Sequence, residues 1–356
     1  MAEEEKKINL TSKYLHELIK NKLMLAGLPE DQAEATTKHL VYADMIGVHS
    51  HGAVRVEYYS ERISKGGVNA TPNLSFEKTG KSTGIFHGDN GQGHFVVNEA
   101  LDPVIEMAKE SGVAVVGISR VSHTGTLSYY LRKIAKQDLI GFAVTQSDPM
   151  VVPFGGAEVY YGTNPIAFSV PKSEGEPIVF DMATTVQAWG KILDARSKGE
   201  DIPETWAVDK TGAPTTNPYN VAGLVPIAGP KGYGLMMMVD ILTGVLLGLP
   251  FGKSVSSMYH DLSENRNLGH TFIVIDPARF RDVEAFKKDM SQTVSELHAV
   301  PAAPGFDQVY YPGELSLLSM KNHQEKGIDI PKSIVDYLES DKVYMNSYDN
   351  KGIFAD

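Results

Sequence analysis

Between residues 11 and 27, in TSKYLHELIKNKLMLAG, the apolar positions Leu15, Leu18, Ile19, Leu23 and Met24 recur at helical spacing, and Gly27 supplies a stop. The following segment, LPEDQAEATTKHLVYADMIG, opens on Pro29 and acidic residues suited to the positive end of a helix dipole. A third helix is predicted from about Val54 to Lys65, ending at Gly66-Gly67. From residue 83 the period changes. Short runs rich in β-branched and aromatic residues (GIFHG, GVAVVGIS, IGFAVTQS, PIAFSVP, PIVFDMAT and, later, TFIVID) alternate with helical segments such as NEALDPVIEMAKESG, TLSYYLRKIAKQ and DVEAFKKDMSQTVSELHAV. Strand and helix in alternation predict an α/β sheet. The pattern thus divides the chain into an N-terminal helical region, 1–75, expected to pack with the segment 331–356, and an α/β domain over 76–330. No repeat or long linker separates them.

The longest apolar stretch, GYGLMMMVDILTGVLLGLPFG (232–252), is broken by Asp240 and by glycines, which predicts a buried helix rather than a membrane span. A composition of 42% hydrophobic and 22% charged residues fits a soluble globular protein with a sizeable core. Cysteine is absent, which removes disulfides, thiolate metal sites and cysteine nucleophiles and suits a cytoplasmic location. The net charge of −11 argues against nucleic acid or an anionic membrane as partner, leaving a local basic pocket for a small anion. The N-terminal MAEEEKKINL lacks the order of a signal peptide.

Three places carry candidate chemistry. In GVHSHGAVRVEYYSERISKGG, His49-x-His51 resembles a dinuclear metal signature, so a metal-dependent amidohydrolase has to be weighed. That pair follows a helix, however, and no further histidine-aspartate set stands at a strand end. The same stretch offers Ser50, His51, Arg55 and Tyr59 as an anion pocket, in which the arginine fork holds a carboxylate. The alternative is that Arg55 and Arg62 pair with Glu57 or Glu61 on a solvated helix, and the pattern leaves both open. His123, in the turn after the strand GVAVVGIS, sits where α/β sheets place functional groups and where a helix dipole keeps imidazole neutral; helix capping is its alternative role. No GxGxxG stands between a strand and a helix, so the usual dinucleotide fingerprint is missing. Lys231 in AGPKGYGL precedes an apolar helix, either as a phosphate site or as a plain first turn.

These segments, with GISRVSHTG, YYGTNPIAF, FDMATT, IPETWAVD and YYPGE, resemble the type 2 malate/L-lactate dehydrogenases, a family that also holds sulfolactate and diketogulonate enzymes. The resemblance spans about residues 14–350. It implies a three-layer α/β/α mixed sheet unrelated to the Rossmann fold, NAD as cofactor, and a homodimer with the active site near the interface. It further implies His123 as proton acceptor and Ser50, His51 and Arg55 around the substrate. Cofactor contacts are implied at Ser147, Asp181, Met182, Ala183, Lys231, Gly313, Glu314 and Leu315. Within the family, HGAVRVEYYSERISKGG and MATTVQAWGKILDARS look closest to the branch acting on ureidoglycolate, which implies that small 2-hydroxy acid as substrate; malate, lactate and sulfolactate are the alternatives.

Overall fold

The computed structural model describes residues 6–349 and 354. Strand β1 (Lys7–Leu10) pairs antiparallel with the late strand β11 (Ile328–Pro331), Leu10 opposite Ile328. Helix α1 (Ser12–Leu25) is capped by Thr11, whose side chain accepts from the Tyr14 N–H, and α2 (Glu30–Met45) carries Glu30 and Asp31 in its first turn. Two single 3₁₀ turns, His49–His51 and Ala53–Arg55, precede α3 (Val56–Ser64). The third helix therefore starts after Arg55, later than the spacing predicts. The cause is Asp44. Its buried carboxylate accepts the Ala53 N–H at 2.7 Å, and a Cβ on Gly52 would meet its Oδ1 at 2.1 Å, so the chain winds tightly over it before a helix can begin.

The sheet domain follows with β2 (Ser75–Lys78), β3 (Thr83–His87), α4 (Gly93–Ser111), β4 (Val113–Val121), α5 (Leu127–Ala135), β5 (Ile140–Thr145), β6 (Ile166–Val170) and β7 (Ile178–Met182). Next come α6 (Trp189–Lys198), the short pair β8 (Ala207–Val208) and β9 (Gly223–Leu224), α7 (Pro230–Thr243), β10 (Leu268–Ile275), α8 (Val283–Ala299) and α9 (Glu314–Lys326). Helix α10 (Lys332–Glu339) follows β11. Seven strands form one sheet in the order β2-β3-β4-β10-β5-β6-β7, with β3 and β4 parallel and the other neighbours antiparallel.

Helices cover both faces of this sheet. Ala114, Val116 and Ile118 of β4 are fully buried in one core with Val97, Ala100 and Val104 of α4 and Leu131 and Ile134 of α5. On the opposite face Gly117 leaves room for Leu247, which a Cβ would meet at 2.2 Å, and Thr271 of β10 donates its hydroxyl to the Leu242 carbonyl at 2.7 Å. The result is the three-layer α/β/α mixed sheet that the resemblance implies.

Helix α7 corrects the expectation for 232–252. It is buried on one face only: Met236, Val239, Asp240 and Thr243 face inward, while Leu235, Met237, Met238 and Ile241, with Val245 and Leu246 in the 3₁₀ turn just after it, are 36–60% exposed. Hydropathy measures how apolar a segment is, and the sheet covers only half of this one.

A second core joins α1, α2 and α3 to β11 and α10 through Leu15, Ile19, Leu40, Val56, Ile330 and Leu338. A third, smaller one, unmarked by the hydrophobic pattern, gathers Val151, Ile192, Leu224 and Met236 inside the sheet domain.

Candidate active site

A cavity of about 1010 Å³ opens among residues of these cores, at the upper end of the range for small-molecule and cofactor sites. Ser50, His51 and Arg55 of the two 3₁₀ turns, His123 from the turn after β4, and the end of β7 all line it.

The turn that carries His123 is fixed by groups on three elements. The Thr126 N–H donates to Nε2 of buried His39 on α2 at 2.8 Å, the Tyr130 hydroxyl of α5 donates to the Thr124 carbonyl at 2.8 Å, and the Thr124 hydroxyl lies 3.1 Å from His270 Nε2 on β10. His123 itself meets the Tyr59 hydroxyl through Nδ1 at 2.7 Å, and its ring stacks on His51 with centroids 5.7 Å apart. Burial, followed by the neighbouring His51 and Arg55, holds its pKa well below the usual histidine value. The ring is therefore neutral near pH 7, as the sequence predicts, but mainly through desolvation. It is not a helix cap: at the start of α5 the Ser128 N–H donates to Asp181 Oδ2 at 2.9 Å. Tyr59 is fully buried and lies outside the cavity wall, so its contact is with His123 and not with the cavity. Burial raises its pKa, so it stays a phenol.

Arg55 is held by two hydrogen bonds, from Nε to the Ser50 carbonyl at 2.7 Å and from Nη1 to the Tyr259 hydroxyl at 2.8 Å. Its remaining N–H donors suit a carboxylate in the cavity. The alternative pairing with Glu57 or Glu61 does not occur. Glu61 pairs with Lys65 at 2.9 Å, Glu57 accepts from Met345 and Ser347, and Arg62 is buried with its guanidinium on the Glu264 and Asp261 carbonyls. Ser50 Oγ lies 3.0 Å from His51 Nδ1, and burial beside Arg55 depresses the His51 pKa to about 4. The two histidines of the HxH pair diverge. His49 turns back to Asp44 at 2.9 Å while His51 stacks on His123, so no metal is clasped between them.

Ser147, Asp181, Met182, Ala183, Gly313 and Leu315 line the same cavity. Ser147 Oγ accepts the Thr163 N–H at 2.8 Å. Gly313, in the left-handed region with φ +88°, lies so close to β7 that a Cβ would fall 2.0 Å from the Val179 carbonyl oxygen. That contact seats the N-terminus of α9 against β7, and first-turn amides suit a diphosphate. Two of the candidate cofactor residues are elsewhere. Glu314 accepts from the Tyr311 N–H at 3.1 Å and pairs with His298 at 2.9 Å, and Lys231 is exposed on the first turn of α7; neither lines the cavity.

Tyr42, Arg132, Trp189, Met258, Tyr259 and Tyr348 also line the cavity and were missed by sequence reasoning. For Tyr259 and Tyr348 no local signal exists, since both come from polar loops without periodicity. His39 is missed as well, although a lone histidine among the apolar positions of a helix is a signal of a specific buried partner.

The family described as malate/L-lactate dehydrogenase matches residues 10–339. A ureidoglycolate dehydrogenase (NAD(+)) of Escherichia coli O157:H7 is 55% identical over 348 residues, 98% of this chain and 100% of that protein. Among solved structures, sulfolactate dehydrogenase from Methanocaldococcus jannaschii superposes with a TM-score of 0.87 at 34% identity, over 93% of this chain and 96% of that one. Malate dehydrogenase from Entamoeba histolytica gives 0.87 at 28% identity, over 94% and 97%.

Proposed function

This chain belongs to the malate/L-lactate dehydrogenase family, and from that premise we propose that it oxidises (S)-ureidoglycolate to oxalurate with NAD, a step of allantoin breakdown. The observation that carries the chemistry is that a neutral His123 and the Arg55 fork line one cavity together with six of the candidate cofactor residues, Ser147, Asp181, Met182, Ala183, Gly313 and Leu315. The substrate is taken from the NAD-dependent ureidoglycolate dehydrogenase aligned over nearly the whole chain.

Arg55 holds the substrate carboxylate, with Ser50 and His51 beside it. His123 accepts the proton of the carbinol hydroxyl at Nε2, because Nδ1 is engaged by Tyr59. NAD, when bound, supplies the hydride acceptor for the carbon that becomes the carbonyl. Ser147, the β7 end at Asp181–Ala183 and the start of α9 at Gly313 are the residues to hold it. Fixed geometry is most of what the protein contributes.

The exposed face of α7 is read as the contact with a second copy, giving a homodimer. By length and composition this helix could also cross a membrane. The dimer reading is favoured because its inner face packs on the sheet and buries Asp240, which accepts the Gly252 N–H at 3.1 Å. A cysteine-free chain suits the cytoplasm, where we place it.

The test is NADH formation with ureidoglycolate, malate, lactate and sulfolactate, each repeated with NADP. Ureidoglycolate with NAD gives the highest kcat/KM. A higher value for another acid or for NADP overturns the reading.

A further inference from the structure

We propose that residues 340–349, after α10, are a specificity element whose Tyr348 forms, with Tyr259, the wall that receives the part of the substrate beyond the carbinol carbon. The inference rests on the 2-hydroxy acid reading above.

Tyr348 lines the cavity, and its ring stacks on Tyr259 with centroids 6.0 Å apart and planes inclined by 20°. The Tyr259 hydroxyl in turn accepts from Arg55 at 2.8 Å. The aromatic pair therefore stands beside the arginine that anchors the carboxylate, Tyr259 on its guanidinium and Tyr348 with its hydroxyl on the preceding Val54 carbonyl. Such a wall lies where the substituent of a bound 2-hydroxy acid has to go.

The segment is held from behind by α3, the helix that follows Arg55. The Tyr348 N–H donates to Glu61 Oε2 at 3.2 Å, and Glu57 Oε1 accepts from the Met345 N–H at 3.1 Å and the Ser347 hydroxyl at 2.5 Å. Lys65 bridges Glu61 at 2.9 Å and Asp349 at 2.8 Å, and Asp349 Oδ1 accepts the Leu262 N–H at 3.0 Å. Glu61 is fully buried. A buried carboxylate is costly unless its oxygens are bonded, and both of these are committed to fixing this segment. Little apolar surface repays that anchoring, since Met345 is exposed and Val343 and Tyr348 are only partly buried. What the anchoring secures is the position of one ring in the cavity.

The chemistry of the wall matches a flat, uncharged group. Two phenol rings offer a π face for a planar ureido substituent. Burial raises the Tyr348 pKa to about 12, which keeps the wall uncharged, and its hydroxyl donates to the Val54 carbonyl at 3.5 Å. A methyl group, as in lactate, gains little from such a face.

The experiment compares the ratio of kcat/KM for ureidoglycolate to that for lactate in the wild type, Tyr348→Ala, Tyr348→Phe and Glu61→Gln, with thermal unfolding measured alongside. Tyr348→Ala lowers the ratio about tenfold, the scale of one lost aromatic contact. Tyr348→Phe keeps most of it, and Glu61→Gln lowers it in the same direction by loosening the segment. If Tyr348→Ala does not fold, Tyr348→Leu takes its place. An unchanged ratio in the folded variants overturns the proposal. Failure of the substrate reading shows separately, as a wild type that prefers another acid; the ratio of that acid to lactate, or to malate where lactate itself is preferred, then decides the role of Tyr348.

Discussion

The Tyr59 hydroxyl lies 2.7 Å from His123 Nδ1, so the proposed proton acceptor is oriented by a buried phenol on α3 and not by a carboxylate. For Nε2 to take a proton from substrate, Nδ1–H must donate to the Tyr59 oxygen, and that bond strengthens once the ring is charged. Tyr59→Phe is expected to lower kcat about 10- to 100-fold, the value of one hydrogen bond to a charged group. KM for the acid stays nearly constant, because Tyr59 does not line the cavity. A raised KM with unchanged kcat would place Tyr59 on the substrate instead. His123→Ala loses the acid-base group itself, and its kcat should fall by about 10²–10⁴-fold.

Arg55→Lys should raise KM for the hydroxy acid at least about tenfold with a smaller effect on kcat, since an ammonium replaces a planar fork by a point charge. The substitution also releases the Tyr259 hydroxyl, which Arg55 now engages. Steady-state kinetics with NAD saturating decides it. An unchanged KM would mean that the carboxylate is bound elsewhere.

The legible parts of the molecule are those where local pattern and tertiary contact agree. Leu15, Ile19 and Leu23 mark α1 because that face meets the second core, and Ala114, Val116 and Ile118 mark β4 because α4 and α5 cover them. Helix α9 buries no side chain fully, so its sequence carries no usable stripe, and β1 is a four-residue strand that exists only through a partner more than three hundred residues later. The site divides in the same way. His123 is signalled by its place after a strand, whereas Tyr348 enters from a polar tail that the carboxylates of α3, with Lys65 and the Leu262 N–H, hold in place. Lys231 and Glu314 belong to motifs that the resemblance ties to the cofactor, but in the folded chain they do not line the cavity.

Acid should destabilise this protein early. His39, His51, His94, His123 and His270 all have depressed pKa values, each chiefly through burial, with His51 at about 4 and His94 and His270 at about 3. Below the unfolded value near 6.5 the unfolded chain binds more protons than the folded one, so stability is full above that pH and falls as pH drops toward 4 and 3. Each such histidine contributes up to about 1.4 kcal/mol per pH unit within its window. The buried Asp44 and Asp240 and the partly buried Asp181 shift upward and act in the opposite direction, but from the carboxylate range. Denaturant unfolding at pH 7, 6 and 5 tests this, and His270→Asn should flatten the slope. A stability that is constant over this range would show that the histidines remain hydrated.

Gly313→Ala should separate cofactor binding from substrate binding. At φ +88° a Cβ costs about 1–2 kcal/mol in backbone strain, and here it would also lie 2.0 Å from the Val179 carbonyl oxygen. Relief requires α9 to move away from β7, which pulls Gly313 and Leu315 from the cavity that Asp181 and Ala183 also line. Arg55 and His123 stand on other elements, and α9 meets the end of α2 and the turn after it through Ser319 and His323, beyond its first turn, His323 Nδ1 lying 2.8 Å from the Met45 carbonyl. The expected outcome is a KM for NAD raised about tenfold or more, with the KM for the hydroxy acid little changed. Equal increases in both would show that the start of α9 also shapes the part of the cavity lined by Arg55 and His123.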